Sequence, residues 1–555
     1  MNVAALSIIR RPPRRFSFLA AAAFLAAALA MVPVASVWLN LFSGGTADTW
    51  QHLVDTVLPE YVANTIWLCL GVGAGVLFGG IVTGWVTAMH DFPGRRIFEW
   101  ALILPMAMPA YVAAYTYTDF LQFVGPVQTA LRAWFGWNAG DYWFPDIRSL
   151  PGAIFLFVFV LYPYVYLLAR TAFMERASGM LEVGRSLGLS SWEAFFRISL
   201  PLARPALAAG TALALMETLA DFGTVAYFAV PTFTTGIYRA WFSMGDRIAA
   251  AQLAAALLGF VVLLLMIEHL SRRRARFHDT TGRRRPFPGR VLHGWRAAAA
   301  SVLCAIPVVF GFLLPAGLLL RMALVDGDAQ FGSRFLHLAS NSFTLAAVTA
   351  LAAVLLSMLL AYAARLTRAW LPRFLNRVVS LGYAVPGSVI AVGVLIPVSR
   401  LDNWLAALIQ DLTGHNPGLL LTGGIAALVY AYLVRFSAVA LHTVESGLNR
   451  ITPSMDDAAR SLGLGQMETL ARVHVPLLRG SLLTAGLMVF VDVMKELPAT
   501  LVMRPFNFDT LATQAYTLAS DERLGEASTA SLAIVAVGLL PLIILSRQIM
   551  ASRKA

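Results

Sequence analysis

Long apolar blocks set the limits on what this chain can fold into. A block of roughly 18 or more apolar residues is long enough to cross a bilayer as a helix. The chain is 58% hydrophobic and 13% charged, with a mean hydropathy of +0.70, whereas an ordinary soluble domain is about 25% charged. We therefore predict an all-α integral membrane protein with about twelve transmembrane helices. The predicted spans lie near residues 16–39, 64–89, 97–120, 152–174, 202–230, 248–270, 297–325, 342–364, 376–399, 417–443, 477–503 and 527–546.

Proline interrupts the third and ninth predicted spans. Pro105 and Pro109 fall in the third block, and Pro386 and Pro397 fall in the ninth. Proline removes a helical hydrogen bond and clashes with the preceding turn. In lipid, such a break is tolerated only where neighbouring helices or water satisfy the freed backbone groups. Both spans are expected to be kinked or broken.

Basic residues indicate the orientation of the spans. With the N-terminus in the cytoplasm, most of the 42 Lys and Arg residues fall on the inside, among them the Arg-rich stretch 271–296. Because cytoplasmic loops carry an excess of Lys and Arg, we predict that the N- and C-termini are both cytoplasmic. Contact with anionic lipid accounts for the net charge of +12. Nucleic acid is therefore not an expected partner.

The second half of the sequence repeats the first. A shift of 275 residues places 185–189 on 460–464, and a shift of 277 places Asn64 on Asn341. Each half has six spans, an even number, so the two halves share one orientation, unlike the inverted repeats of many gradient-driven transporters. We predict two parallel six-helix modules, residues 1–270 and 297–555, joined by a cytoplasmic linker at 271–296.

Two matching loops, residues 182–201 and 457–476, are the most specific feature of the sequence; we call them the first and second motif loops. Each is expected to form a short helix, a glycine turn and a second short helix, with a proline that starts the next span. Their apolar residues indicate that a partner covers them. A hairpin lying on the membrane surface is the alternative, but two equivalent copies favour docking onto a two-fold partner. The defining residues are Glu182, Gly188, Ile198 and Pro201 in the first loop, and Asp457, Ala458, Ala459, Gly463, Val473 and Pro476 in the second.

The motif loops resemble the EAA loop of permease subunits of binding-protein-dependent ABC importers. This sequence has Asp457 in place of the family's Glu, and Val183 and Gly184 in place of Ala-Ala in the first loop. The resemblance covers nearly the whole chain. It implies a multi-pass permease of the bacterial cytoplasmic (inner) membrane, whose motif loops transmit the closure of two copies of a separate ABC ATPase. A periplasmic substrate-binding protein is the other implied partner.

Further stretches resemble the fused permeases of ferric-iron importers, which implies ferric iron as the substrate. Fused thiamine permeases and two-subunit phosphonate, sulfate or polyamine permeases share the architecture and remain alternatives. The stretches are residues 216–227 and 232–239 in the first half, and 495–501 and 504–510 in the second.

The chain lacks the sequence signature of an ATPase. A Walker A loop needs Gly-Lys followed by Ser or Thr, but the two lysines, Lys495 and Lys554, follow Met494 and Arg553. We expect a non-catalytic subunit without a cofactor, and no metal site is firmly assigned. A gradient-driven secondary transporter is the rival class. Intramembrane carboxylates would support that class, whereas the paired motif loops and the parallel repeat argue against it.

Four carboxylates fall inside predicted spans at repeated positions. Glu217 and Asp221 are four residues apart and are expected to share a helix face, and Asp492 and Glu496 repeat this spacing. Carboxylates at membrane depth usually face a cavity, a partner or a pathway. Lys495 is close enough to Asp492 to form an ion pair that fixes packing. For Glu217 and Asp221 the alternative is a hydrogen bond to a neighbouring helix or contact with an outer layer of water. Our hypothesis is that the four acids line a central passage for a cation such as ferric iron.

Overall fold

The computed structural model describes residues 18–44, 47–186, 188–273, 290–325, 331–366 and 370–551. Within these residues the fold is helical, apart from loops and one short parallel pair of strands, His90–Asp91 and Arg290–Val291. Eleven of the described helices are long and apolar enough to cross a membrane, and a bent pair brings the number of spans to twelve. The predicted all-α membrane architecture is confirmed.

The first half contributes six spans. Spans 1, 2, 4, 5 and 6 are Phe18–Asn40, Leu58–Met89, Leu150–Ser186, Leu200–Ala220 and Arg247–Arg273. Span 3 consists of Arg95–Ala101, the 3-10 turn Leu104–Ala107 and Ala110–Leu121, with a bend of 91° at its break. The shorter helices of this half are Ala47–Thr56, Pro126–Phe135, Ser191–Ala194, Gly223–Tyr227 and Phe233–Tyr238, with π-helical turns at Phe195–Ser199 and Arg239–Ser243.

The second half repeats this arrangement. Spans 8, 10, 11 and 12 are Ser333–Leu366, Ala426–Leu448, Val475–Met494 and Leu524–Ala551. Span 7 runs through Trp295–Val308, the π-helical turn Val309–Leu313 and Leu314–Leu324, and span 9 through Trp370–Ser380, the 3-10 turn Leu381–Ala384 and Gly387–Thr413. The shorter helices are Pro453–Ser461, Gln466–Thr469, Pro498–Met503 and Leu511–Ser520, with a π-helical turn at Leu470–His474.

Spans 3 and 9 break at equivalent prolines. Pro109 has extended backbone angles directly before the helix Ala110–Leu121, and Pro386 has the same conformation before Gly387–Thr413. Both prolines sit where a helix begins, so neither removes a hydrogen bond inside a helix. Pro397, by contrast, lies inside the continuous helix Gly387–Thr413 and does not break it.

Spans 5 and 11 are shorter than predicted. The apolar blocks extend to residues 230 and 503, but the helices end at Ala220 and Met494. The remaining residues form the separate short helices Gly223–Tyr227 and Pro498–Met503. Hydropathy did not reveal these ends because further apolar residues follow each of them.

The two halves exchange their first spans. Span 1 packs against spans 8 and 9 of the second half in addition to span 6 of its own, and span 7 packs against spans 3 and 4 of the first half in addition to span 12 of its own. The hydroxyl of Tyr430 in span 10 donates to the carbonyl oxygen of Leu29 in span 1 at 2.6 Å, and that of Tyr117 in span 3 donates to the carbonyl oxygen of Phe310 in span 7. The first span of each half therefore completes the packing of the other half.

Candidate functional site

The four predicted acids line one cavity between the two halves of the chain. The cavity has a volume of about 130 Å³ and receives residues from spans 3, 4 and 5 of the first half and from spans 9, 10 and 11 of the second. The structure therefore brings the two pairs of acids to one place, while their part in passage stays a prediction. The charged and phenolic lining consists of Glu217, Asp221, Asp492, Glu496, Arg435, Lys495, Tyr111, Tyr164 and Tyr383.

The second acid of each pair lies beyond the end of its helix, so the expectation of a shared helix face was wrong. Asp221 has extended backbone angles, and its carboxylate accepts from the backbone N–H groups of Thr224 at 2.9 Å and Val225 at 3.3 Å. Glu496 accepts from the N–H groups of Ala499 at 3.0 Å and Thr500 at 3.1 Å. Each acid thus satisfies the first free N–H groups of a short helix, which ends the span and starts the next segment.

The first acid of each pair remains within its span. The Tyr383 hydroxyl donates to Glu217 Oε1 at 2.8 Å, so that span 9 of the second half holds an acid of the first half. Asp492 forms the predicted ion pair with Lys495 at 2.9 Å. The repeat keeps the carboxylate at both positions but gives the two acids different partners.

Arg435 bridges the two halves and was missed from the sequence. Its guanidinium lies 3.3 Å from Glu496 Oε1 and 3.9 Å from Glu217 Oε2, and the side chain is buried. The repeat places Val160 at the same position of the first half, and Val160 also lines the cavity. One signal was available, because Arg435 is the only Arg or Lys within predicted span 417–443. A charge at membrane depth is itself a sign of function.

Aromatic residues separate this cavity from a larger one on the side away from the motif loops. Phe222 stacks on Tyr238 with ring centroids 3.6 Å apart, and the Tyr238 hydroxyl donates to the carbonyl oxygen of Pro498. Beyond them lies a cavity of about 600 Å³ whose lining includes Arg239 and Arg504. Pro498 lines the inner cavity and Tyr238 lines the larger one, so their hydrogen bond joins the two halves at the boundary between the two cavities.

No metal site is preformed among the described side chains. In the part of the chain that the structure describes, no group of three or more His, Cys, Asp and Glu side chains is placed to hold a metal ion. The four acids line a common cavity, but they do not converge on one point.

The two motif loops turn at equivalent glycines. Gly188 has φ of +83° and Gly463 has φ of +82°. A Cβ at either position would meet open space, so the backbone conformation, and not crowding, is what favours glycine. The predicted glycine turns are present in both loops.

Pro201 and Pro476 lie in the first turn of the span helices Leu200–Ala220 and Val475–Met494, as predicted. The second helix of each motif loop is not separate from its span, however, because the helical runs Trp192–Ala220 and Gln466–Met494 are continuous. Both runs contain a π-helical turn, Phe195–Ser199 with Ile198 and Leu470–His474 with Val473, at positions related by the repeat. Such turns often occur at functional sites.

The motif loops expose large apolar side chains. Trp192 is 73% exposed and Phe196 57% in the first loop, and Leu462 is 81% and Met467 64% in the second. Asp457 and Ala458 are exposed, whereas Ala459 is buried, and the side chain of Glu182 lies outside the described residues. Trp192 and Met467 occupy equivalent positions of the repeat, and exposed apolar residues on both loops have the form of a surface that a partner covers.

Both halves of the chain are similar to known proteins. The profile of the family described as binding-protein-dependent transport system inner membrane component matches twice, at residues 80–276 and 353–552. The Fe(3+)-transport system permease protein FbpB 2 of Haemophilus influenzae is 23% identical over 93% of this chain and 95% of its own length. The molybdenum transport system permease protein ModB of Escherichia coli K12 is 28% identical over 39% of this chain and 97% of its own.

A sulfate permease is also similar. The sulfate transport system permease protein CysW of Escherichia coli K12 is 28% identical over 36% of this chain and 66% of its own length. The single-module relatives match part of this chain, whereas the ferric-iron relative matches nearly all of it. The chain belongs to the family of binding-protein-dependent transport system inner membrane components, the permeases of ABC importers, and carries two copies of the family's module.

Proposed function

We propose that this chain is the permease of an ABC importer for ferric iron. A periplasmic binding protein delivers the iron, which passes through the cavity between the two halves. The observation that carries the proposal is the set of four carboxylates, Glu217, Asp221, Asp492 and Glu496, on the wall of one cavity. The full-length similarity to a two-module Fe(3+) permease supports it.

The charge of the cavity favours a cation over an oxyanion. Among the described residues that line the cavity, four carboxylates face two cationic side chains, Arg435 and Lys495. Both cations are already paired, Arg435 with Glu496 and Lys495 with Asp492. An entering sulfate or molybdate would meet carboxylates and compete for these cations, whereas carboxylate and phenol oxygens are ligands that hard cations prefer.

Glu217 is the acid best placed to respond when the halves move apart. Its carboxylate belongs to the first half, but its partners Tyr383 and Arg435 belong to the second. Separation of the halves would release Glu217 and leave a carboxylate without its resident cation. A passing cation would then replace Arg435 as the partner of Glu217, and the return of the halves would displace the cation.

The motif loops provide the connection to the energy source. In this proposal they face the cytoplasm, with both chain termini on the same side of the inner membrane, and each loop docks on one copy of an ATPase. Their exposed Trp192, Phe196, Leu462 and Met467 supply the apolar contact. Two loops on one chain correspond to two ATPase copies.

The test neutralises the acids of the first half. The double variant Glu217→Gln, Asp221→Asn keeps hydrogen-bond acceptors for Tyr383 and for the N–H groups of the short helix, because Asn is also a good helix cap. We expect uptake of radioactive ferric iron to fall by about tenfold, or about 1.4 kcal/mol in barrier height. Docking of the iron-loaded binding protein and the stimulation of ATP hydrolysis should persist.

A buried acid outside the cavity provides the matched control. Asp402 is fully buried in span 9, where its carboxylate accepts from the N–H groups of Leu420, Leu421 and Thr422. Asp402→Asn should leave iron uptake per assembled complex unchanged. Normal iron uptake by the Glu217→Gln, Asp221→Asn variant would show that these two acids have no part in the pathway. The proposed substrate would change from ferric iron to an oxyanion if a sulfate- or molybdate-loaded binding protein stimulated ATP hydrolysis and the iron-loaded protein did not.

A further inference from the structure

The second motif loop is tied to the spans by an ionic cluster. Asp456, next to the motif residue Asp457, lies 2.7 Å from His474 Nε2 and accepts from Arg365 Nε at 3.0 Å. Arg365, at the end of span 8, also donates to the carbonyl oxygens of Leu448 at 2.8 Å and Ile451 at 2.9 Å. One arginine therefore joins the loop helix, the end of span 8 and the end of span 10.

The first motif loop has no such cluster at the corresponding positions. The repeat places Leu181 at the position of Asp456, Ser199 at that of His474 and Ala88 at that of Arg365. Leucine and alanine cannot form an ion pair. Ser199 is buried, and its hydroxyl has no hydrogen-bond partner among the described residues.

Aromatic packing takes the place of the ions in the first loop. The Trp85 ring lies 4.7 Å from the ring of Phe195 and 5.2 Å from that of Phe173, measured between centroids. The repeat places Tyr362, Leu470 and Leu448 at these positions in the second half. We call the two arrangements the aromatic seat of the first loop and the ionic seat of the second.

The backbone of the two motif loops also differs between the halves. In the first half, span 4 continues without a break to Ser186, so the loop helix is an extension of the span. In the second half, span 10 ends at Leu448 and a new helix begins at Pro453. Proline disfavours the helical conformation in the residue before it, here Thr452. The separate helix of the second loop therefore depends on its side chains for a fixed orientation.

We propose that the two motif loops couple to the ATPase in non-equivalent ways: the first as a rigid extension of span 4, and the second through the ionic seat of Arg365, Asp456 and His474. This rests on the proposed docking of the motif loops on an ATPase. Asp456 is then a positioning residue. Two identical ATPase subunits would then act on this chain through two different connections. The connection through the second motif loop fails when the charges of the ionic seat are removed.

The experiment compares a variant of each seat in the intact complex, reconstituted with ATP and with binding protein loaded with radioactive ferric iron. Asp456→Asn removes the charge of the ionic seat, and Phe195→Leu gives the aromatic seat the residue found at the equivalent position. For Asp456→Asn we expect iron transported per ATP to fall about fivefold or more, at the lower end of typical coupling between sites. ATP hydrolysis and both ATPase copies should be retained. For Phe195→Leu the ratio should stay at the wild-type value, with a lower melting temperature.

Exchanging the charges of Arg365 and Asp456 distinguishes a positioning role of their ion pair from a general loss of structure. Arg365→Asp and Asp456→Arg should each lower the transport ratio, and the double variant should recover the part that the ion pair supplies. The remainder should stay lost, because a carboxylate at position 365 cannot donate to the carbonyl oxygens of Leu448 and Ile451. If Asp456→Asn fails to assemble, Arg365→Lys, which keeps the charge but loses the forked geometry, replaces it with the same expected loss of coupling. An unchanged ratio in the ionic-seat variant, or equal losses in both seats, would overturn the proposal. A wild-type chain that never stimulates ATP hydrolysis would instead refute the proposed function.

Discussion

Gly188 and Gly463 hold a left-handed backbone conformation with nothing near the place where a side chain would begin. Any strain from a substitution therefore comes from the backbone alone. A β-branched residue is poorly suited to this conformation. Because each glycine ends the first helix of a motif loop, a change of its φ would rotate one loop helix relative to the next.

The double variant Gly188→Val, Gly463→Val should uncouple ATP hydrolysis from transport while leaving insertion into the membrane intact. Valine at each site should cost about 1–3 kcal/mol of folding free energy through backbone strain, or the loop should adopt a different backbone conformation. The measurement is iron transported per ATP hydrolysed by the purified complex. Gly480→Val is the control, because Gly480 also faces open space but lies within the helix of span 11. Full transport by the double variant would show that the turns do not shape the docking surface.

The residues of the cavity were predictable only in part. The four acids stand out in the sequence because a carboxylate at membrane depth is costly and because the same pair of acidic positions occurs once in each half. Tyr383 and Arg435 break the repeat, with Met106 and Val160 at the corresponding positions. A comparison restricted to what the halves share cannot find them, although both contact Glu217 of the other half.

At the scale of elements, the informative positions are the ends of spans 5 and 11. Apolarity continues past Ala220 and Met494, so hydropathy alone extends both spans. The helices end there because Asp221 and Glu496 offer their carboxylates to the N–H groups that follow. Irregular backbone at membrane depth is tolerated where it lines a cavity or is buried in protein, and both breaks lie at the central cavity.

The motif loops show the opposite limit of prediction. Their glycines and exposed apolar residues follow from the sequence pattern, but the attachment of each loop to its spans does not. Pro453 separates the loop helix from span 10, while the first half has Ser178 at that position and a continuous helix. The sequence shows the difference between Pro453 and Ser178. It does not show how the separate loop helix is held, because that depends on a contact with Arg365, about ninety residues earlier in the chain.

At the scale of the whole molecule, one chain carries both modules and both motif loops. The assembled transporter should therefore contain one copy of this chain and two copies of the ATPase. Native mass spectrometry of the purified complex measures this ratio directly. Two copies of this chain in one assembly would bring four motif loops together, contrary to the proposed ratio of one chain to two ATPase copies.

The exchange of first spans has a consequence for how the chain assembles. Span 1 packs on the second half and span 7 on the first, yet the family profile begins at residues 80 and 353, beyond both of these spans. Hydropathy identifies the two spans but gives no information about their neighbours. The covalent link between the halves keeps both modules in one molecule. The packing of spans 1 and 7 on the opposite half does not itself depend on that link.

A chain divided within 274–289 should therefore reassemble. Co-expressed pieces of residues 1–280 and 281–555 should co-purify through a tag on one piece and support iron uptake, because each piece completes the packing of the other. Removing residues 1–44 from the first piece deletes span 1 and its contact with Tyr430, so much less of the second piece should be recovered. Deleting the C-terminal residues 552–555 from the second piece is the control and should leave recovery unchanged. If the pieces associate equally well without span 1, the exchanged span is not what holds the halves together, and the contacts around the central cavity, including Arg435 with Glu217, must be sufficient.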